Sequence, residues 1–259
     1  MAHDPVSLTS AIAGDGPPLV IIHGLFGQAK NWGALSKTFA EDFTVHALDL
    51  RNHGHSPRAN TMTYEAMVAD VIRYLDTQGI DQTAILGHSM GGKVAMLVAL
   101  QHPEMVSQLI VADIAPVDYD HDFTRHFEAI RAIELGALKS RQDADRIMAD
   151  YIDDAMVRAF LLSNLSRDGD RQWYWQINHE AIWQHMHDII GWPSTSPNGF
   201  DAPTLFLRGA ESNYLTDAMT SAITRLFPRA EFDSITKAGH WLHADQPQAF
   251  VTRCLDFLR

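Results

Sequence analysis

The stretch Ala84-Ile85-Leu86-Gly87-His88-Ser89-Met90-Gly91-Gly92-Lys93 decides how the rest of the chain is read. The apolar residues up to Leu86, starting at Thr83, have the pattern of a buried strand. Residues 91–100 are apolar almost all round, the mark of a buried helix. Between them lies Gly-X-Ser-X-Gly. Gly87 and Gly91 carry no Cβ, so strand and helix can close on each other around one sharp turn that holds Ser89 in a strained conformation. The spacing predicts the Ser89 hydroxyl at the C-terminal edge of a sheet, above a helix N-terminus, with the Met90 amide pointing to the same place. The plainer alternative is a glycine-rich turn whose serine only caps the helix.

Outward from this turn, strands and helices alternate. Leu19-Val20-Ile21-Ile22, residues 43–48 and Leu109-Ile110-Val111-Ala112 read as further buried strands. Residues 32–39 and 64–75 read as helices; in the second, Met67, Val71 and Leu75 share a face and Thr63 is the candidate N-cap. Strands separated by helices of this length predict a parallel sheet covered on both faces. After Pro116 the rhythm changes, and residues 118–197 read as helical with no convincing strand. Ala129, Ile130, Ile133, Ala137 and Leu138 mark one helical face there, and residues 147–162 another. The earlier pattern resumes with a strand over 204–207, a helix over 215–226, a strand over 231–235 and a helix over 248–258. The expectation is one α/β core in two parts, residues 1–117 and 199–259, interrupted by a helical cap of residues 118–198.

Composition narrows the function. Among 259 residues, 20 Lys and Arg stand against 32 Asp and Glu, a net charge of −12 with no basic run, which argues against nucleic acid as a partner. No apolar stretch approaches the roughly 20 residues that span a bilayer. Met1 to Val6 has neither a basic nor an apolar leader segment, so a cytoplasmic location is expected. The single cysteine, Cys254, excludes an internal disulfide and falls on an apolar helical stripe with Val251, Leu255 and Leu258, where packing is expected. A monomer and a homodimer are equally compatible with the sequence.

A serine hydroxyl needs a base to become a nucleophile. Of 14 histidines, His240 stands out in Lys237-Ala238-Gly239-His240-Trp241, on the loop after the last predicted strand; His243 is its nearest competitor. An imidazole in turn needs a carboxylate to orient it and to stabilise its cation. Asp113 ends the strand beside that of Ser89 and is preferred, with Glu211 as the alternative; Asp49 also ends a strand but is expected to pair with Arg51. His23-Gly24-Leu25-Phe26-Gly27 follows the first strong strand and offers amides for an oxyanion: Leu25 with Met90, or Phe26 as the alternate donor. Phe26, His88, Trp183 and Trp241 are candidate walls of a substrate pocket. Trp173, Trp175, Trp183 and Trp192 crowd residues 171–192, as core of the cap or as an apolar roof over the site. The pairs His53/His55, His185/His187 and His240/His243 lack the spacing of a metal motif, so neither metal nor cofactor is expected.

Taken together, His23-Gly24, the segment Asp49-Leu50-Arg51-Asn52-His53-Gly54-His55-Ser56, Gly87 to Gly92 and Gly239-His240 resemble the α/β-hydrolase superfamily over essentially the whole chain. More narrowly, His23 to Gly27, Asp49 to Pro57, Gly87 to Lys93 and Asp113-Ile114-Ala115-Pro116-Val117 look like the YbfF-type bacterial esterases and related mitochondrial abhydrolase proteins. The resemblance implies a mostly parallel sheet flanked by helices, a helical cap after the sixth strand, and hydrolysis of simple esters and acyl-CoA thioesters. In the superfamily the acid often sits in Gly-x-x-Asp after the penultimate strand; here Gly209-Ala210-Glu211-Ser212 puts serine at that place. The narrower group carries its acid after the sixth strand, which supports Asp113. Serine at the elbow argues against dehalogenase and epoxide hydrolase chemistry. Carbon–carbon bond hydrolases, cofactor-free perhydrolases and ligand-binding receptors on this scaffold remain alternatives. An acyl-CoA thioester, being polyanionic, would need Arg51, Arg58 or Lys93 as a local positive patch.

Overall fold

Short β-branched runs become the middle of a seven-stranded sheet in the computed structural model, which describes residues 4–193 and 199–259. In chain order the first elements are β1 (Thr9–Ala13), β2 (Pro18–Ile22), α1 (Gly33–Phe39), β3 (Thr44–Asp49), α2 (Tyr64–Gln78), β4 (Thr83–His88), α3 (Met90–Gln101) and β5 (Val106–Ala112). After the inserted segment come β8 (Thr204–Gly209), α9 (Thr220–Leu226), β9 (Ala230–Ile235), α10 (Leu242–Asp245) and α11 (Pro247–Leu258). The insertion itself holds α4 (Thr124–Arg131), α5 (Arg141–Met148), α6 (Ala155–Leu162), β6 (Leu165–Arg167), β7 (Trp173–Trp175), α7 (His179–Gln184) and α8 (Met186–Ile190).

The sheet order is β1-β3-β2-β4-β5-β8-β9, parallel throughout except that β1 runs antiparallel along β3. Alternation along each strand sends Val20, Ile85 and Val111 into the core built with α2, α3 and α9. Ile21, Leu86 and Ile110 enter the opposite core with α1, α10 and α11, where Cys254 is buried as expected. With both faces covered, the ends of the strands are the places left for chemistry, and ligands in such sheets bind beyond the carboxyl ends. Among the described residues no helix is long and apolar enough to cross a membrane.

Several expectations change. The edge strand β1 is absent from the sequence reading, because Thr9-Ser10-Ala11-Ile12-Ala13 has a mostly exposed, unremarkable pattern. The strand ahead of the insertion is the fifth in chain order, one fewer than the resemblance implies. The insertion is not wholly helical: β6 and β7 pair antiparallel, with Leu165 opposite Trp175. Its helices are also shorter. α4 stops at Arg131, which leaves Ile133, Ala137 and Leu138 outside it, and the stretch 147–162 is broken before Asp154, whose side chain caps α6 by accepting from the Met156 amide at 2.7 Å. The helix expected over 215–226 is a 3₁₀ turn, Asp217–Met219, followed by α9. The expected cap boundary at residue 198 and the start of the chain at Met1 lie outside the described residues.

Arg51 does not pair with Asp49. It is fully buried and forks onto Asp70 of α2, with Nε to Oδ2 at 2.6 Å and a terminal nitrogen to Oδ1 at 2.7 Å, and it also reaches Thr61 Oγ1 at 2.6 Å. Asp49 instead accepts the amides of Ala29 at 2.7 Å and His55 at 2.8 Å, tying two loops at the sheet edge. A bidentate pair this deep leaves a naked buried cation if its anion is removed. Asp70→Ala is therefore expected to cost about 3–5 kcal/mol in a urea titration; a loss below about 1 kcal/mol, the size of an exposed ion pair, would contradict the placement of this pair in the core.

Candidate active site

β4 ends at His88 and α3 begins at Met90, so a single residue makes the turn. Ser89 takes φ 52° and ψ −123°, and its amide donates to Ala112 O at 3.0 Å, which fixes the turn to the end of β5. The turn is tight enough that a Cβ on Gly87 would strike the backbone of Gly91, and one on Gly91 would strike the carbonyl oxygens of Ile22 and His23. Three strand ends meet there only because those side chains are missing.

The next strand ends supply the remaining groups. Asp113 follows β5 at φ 54° and is fully buried; His240 lies on the loop between β9 and α10. His240 Nε2 is 3.0 Å from Ser89 Oγ, and its Nδ1 is 2.7 Å from Asp113 Oδ2. Because an ionised carboxylate only accepts, the proton between Asp113 and His240 sits on Nδ1, which leaves Nε2 free to accept from the serine hydroxyl. Asp113 is held in turn: Gly209 N–H donates to Oδ1 at 3.2 Å, and the Ser212 hydroxyl donates to Oδ2. The ring of Tyr214 stacks on His240 with centroids 3.6 Å apart. On the other side the buried His88 donates from Nε2 to His240 O at 2.8 Å.

The competitors are placed elsewhere. Glu211 is exposed, and among the described residues its carboxylate makes no hydrogen bond to His240. His243 stacks on Trp32 at 4.4 Å, and burial followed by the charge of His240 pushes its pKa down to about 3. Ser212, at the position where Gly-x-x-Asp would put an acid, holds the acid supplied by β5; the four-residue spacing was visible in the sequence, but its partner was not.

The loop after β2 carries the expected amides. Phe26 adopts φ 61°, and its N–H donates to His53 Nε2 at 3.2 Å, so the alternate donor is already engaged. The amides of Leu25 and of Met90 have no protein acceptor among the described residues; Met90 is the first residue of α3, where no intrahelical partner exists. His53 in turn donates from Nδ1 to Arg51 O at 3.0 Å, while the neighbouring His23 accepts the Leu50 amide at 3.0 Å and donates to Gly24 O at 2.8 Å. These two rings are braces between the loops. Burial, more than any charge, pushes His23 down to about 4 and His53 down to about 3, so both are neutral.

Ser89, Leu25 and His240 open into an apolar cavity of about 320 Å³. Phe26, His88 and Trp241 line it, as expected; Trp183 does not. The Trp183 ring packs on Phe127 with centroids 4.9 Å apart, under Arg131, and none of the four tryptophans in 171–192 reaches the cavity. The roof is made by Phe123 just before α4, by His126 in the first turn of α4, and by Val157, Phe160 and Leu161 of α6. The basic residues offered as an anion patch are spent on protein acceptors. Arg51 is on Asp70, Arg58 donates to Trp175 O at 2.5 Å, and Lys93 donates to Ile190 O at 2.8 Å and Gly191 O at 2.6 Å. Burial pushes the Lys93 ammonium down to about 7.

Fold and site together define an α/β-hydrolase: the chain belongs to the α/β-hydrolase fold family, whose pattern it matches over residues 17–247. It is 37% identical over 266 residues to the sn-1-specific diacylglycerol lipase ABHD11 of Danio rerio, spanning 98% of this chain and 83% of that one. It is also 37% identical over 237 residues to esterase YbfF of Escherichia coli K12, spanning 90% of each. A solved structure described as a marine microorganism esterase superposes with a TM-score of 0.95 at 37% identity, covering 97% of this chain and 99% of that one.

The neutral braces carry a pH signature. Below their ordinary value of 6.5, His23 and His53 take up protons in the unfolded chain but not in the folded one until about 4 and about 3. Stability is therefore fully present above pH 6.5 and falls as the pH is lowered, with a limiting slope of about 1.4 kcal/mol per pH unit for each ring. Urea midpoints measured between pH 7.5 and 4.5 are expected to drop steadily below 6.5, and a His53→Gln variant to drop less steeply. Parallel profiles for the two proteins would remove His53 from this role.

Proposed function

We propose that the chain is a carboxylic ester hydrolase that works through an acyl-enzyme on Ser89. The observation that carries this reading is the unbroken run from Ser89 Oγ through His240 to the buried, fully hydrogen-bonded Asp113, opening on an apolar cavity. Ser89 Oγ attacks the ester carbonyl carbon while His240 Nε2 takes the hydroxyl proton. Asp113 holds the imidazole in the tautomer that allows this and stabilises its cation. The amides of Leu25 and Met90 receive the oxyanion of the tetrahedral intermediate; preorganised donors of this kind are each worth about 10²–10³ in rate. The intermediate collapses, the alcohol leaves with the proton from His240, and water deprotonated by the same nitrogen releases the acid and restores the serine.

The cavity sets the substrate class. Its lining is mostly apolar, and Phe123, His126, Val157, Phe160 and Leu161 of the inserted segment roof it, so the acyl or alcohol part held there is apolar. Oxygen esters are preferred to acyl-CoA thioesters for a specific reason: Arg51, Arg58 and Lys93 already donate to protein acceptors, and a chain of net charge −12 repels a polyanion. The names of the relatives, an esterase and a diacylglycerol lipase, agree with an apolar ester.

Ser89→Ala is expected to abolish turnover of a p-nitrophenyl ester, and Asp113→Asn to lower kcat by about 10⁴, the cost of holding the histidine in the wrong tautomer. Glu211→Gln is expected to leave kcat within about twofold. Full activity in Ser89→Ala, or a larger loss in Glu211→Gln than in Asp113→Asn, would overturn the assignment. With one acyl group presented both as a simple ester and as its CoA thioester, kcat/KM is expected to favour the ester by at least about tenfold; the reverse order would contradict the substrate class.

A further inference from the structure

The loop that carries the Leu25 amide is gripped from two sides, and one of the grips belongs to the inserted segment. Phe26 sits in the left-handed region, which costs a bulky residue about 1–3 kcal/mol and persists only where its surroundings over-determine it. From the core, His53 accepts the Phe26 amide proton. From the opposite side, Asn164 Nδ2 donates to Phe26 O at 2.8 Å. The two ends of one residue are thus pinned to two parts of the chain that are 111 positions apart (164 − 53).

Asn164 has no freedom to do anything else. It is completely buried, just past the end of α6, and every polar group it owns is committed. Nδ2 also reaches Leu161 O at 3.3 Å, and Oδ1 accepts from Gln28 Nε2 at 3.1 Å. Its backbone N–H donates to Leu161 O at 3.0 Å, and its carbonyl accepts the Gln176 amide at 2.8 Å. Its side-chain amide donates to Phe26 O through Nδ2 while accepting from Gln28 through Oδ1. Leucine would remove both contacts, and an aspartate would set a carboxylate against a carbonyl.

We infer that Asn164 is a positioning residue for the oxyanion-binding amide of Leu25, so that docking of the inserted segment completes the oxyanion site. This rests on the reading of Leu25 as a donor. Fixing the Phe26 amide and carbonyl together fixes its φ and ψ, and with them the direction of the preceding peptide units. A donor displaced by about 1 Å loses much of its value even when the chemistry lies elsewhere, up to about 10²-fold. The same helix that lines the cavity with Val157, Phe160 and Leu161 ends on this contact, which joins substrate fit to transition-state stabilisation through one short segment.

The test compares Asn164→Ala and Gln28→Met with the wild-type chain on one p-nitrophenyl ester, and measures binding of a trifluoromethyl ketone, which adds to the serine as an oxyanion. Asn164→Ala is expected to lower kcat by about tenfold to a hundredfold with KM within about twofold, and to weaken the ketone by the same factor as kcat/KM. Gln28→Met keeps the volume, removes the partner of Asn164 Oδ1 together with the longer contacts of Gln28 Nε2 to Ser163 O and Oγ at 3.4 and 3.5 Å, and is expected to show a smaller loss of the same pattern. A lowered melting temperature with wild-type kcat and ketone binding would overturn the inference, as would a raised KM at unchanged kcat. If Asn164→Ala yields no folded protein, the constants of Gln28→Met decide between these outcomes. Ser89→Ala run alongside separates the two levels: turnover there breaks the underlying reading, whereas an inactive Ser89→Ala with an unaffected Asn164→Ala breaks only the inference.

Discussion

The rest of the structure depends on the approach of three strand ends to the turn at Ser89. Gly87 against Gly91 and Gly91 against the carbonyls of Ile22 and His23 come closer than a Cβ would allow, and a Cβ on Gly24 would be in tight contact with the Ser89 side chain. This approach sets the serine at φ 52°, at the start of α3, and places the loop after β2 beside it. A strained residue is retained where packing on every side leaves it no alternative, and here the packing is backbone against backbone.

The loops around the turn are fixed by polar groups removed from water. His23 and His53 act as neutral hydrogen-bond braces, Asp49 collects two amides, and Arg51 ties the loop after β3 to α2. Each of these groups would be costly to bury alone and is kept because its partners are satisfied. Asp113 follows the same logic at the site: two donors from the β8 end, Gly209 and Ser212, hold its carboxylate while His240 Nδ1 meets it. From the inserted segment, Asn164 reaches the same loops by donating to Phe26 O, and Trp175 O accepts from Arg58.

Much of this was legible in the sequence because it is local. The elbow glycines, the short buried strands and the helix over 64–75 with its Thr63 cap, whose hydroxyl accepts from Ala66, are set within a few residues of one another. Ser89, Asp113 and His240 could each be proposed from a place at a strand end, and the structure brings them together. What was not legible depends on distant partners. β1 has no apolar alternation of its own and exists by pairing with β3. The hairpin of β6 and β7 has three-residue strands, too short for a period to show. Trp183 looked like a pocket wall by composition, but its position against Phe127 is decided by how α4 and α7 pack. Asn164, Ser212 and His53 are single polar residues whose partners lie 138, 99 and 27 positions away.

The central claim is a covalent intermediate on one serine. The most direct test is intact-protein mass spectrometry, with peptide mapping, after reaction with a fluorophosphonate ester. One adduct per chain on Ser89, absent in Ser89→Ala and slowed in His240→Ala, is the expected result. An adduct on another residue, or labelling that survives in Ser89→Ala, would contradict the account.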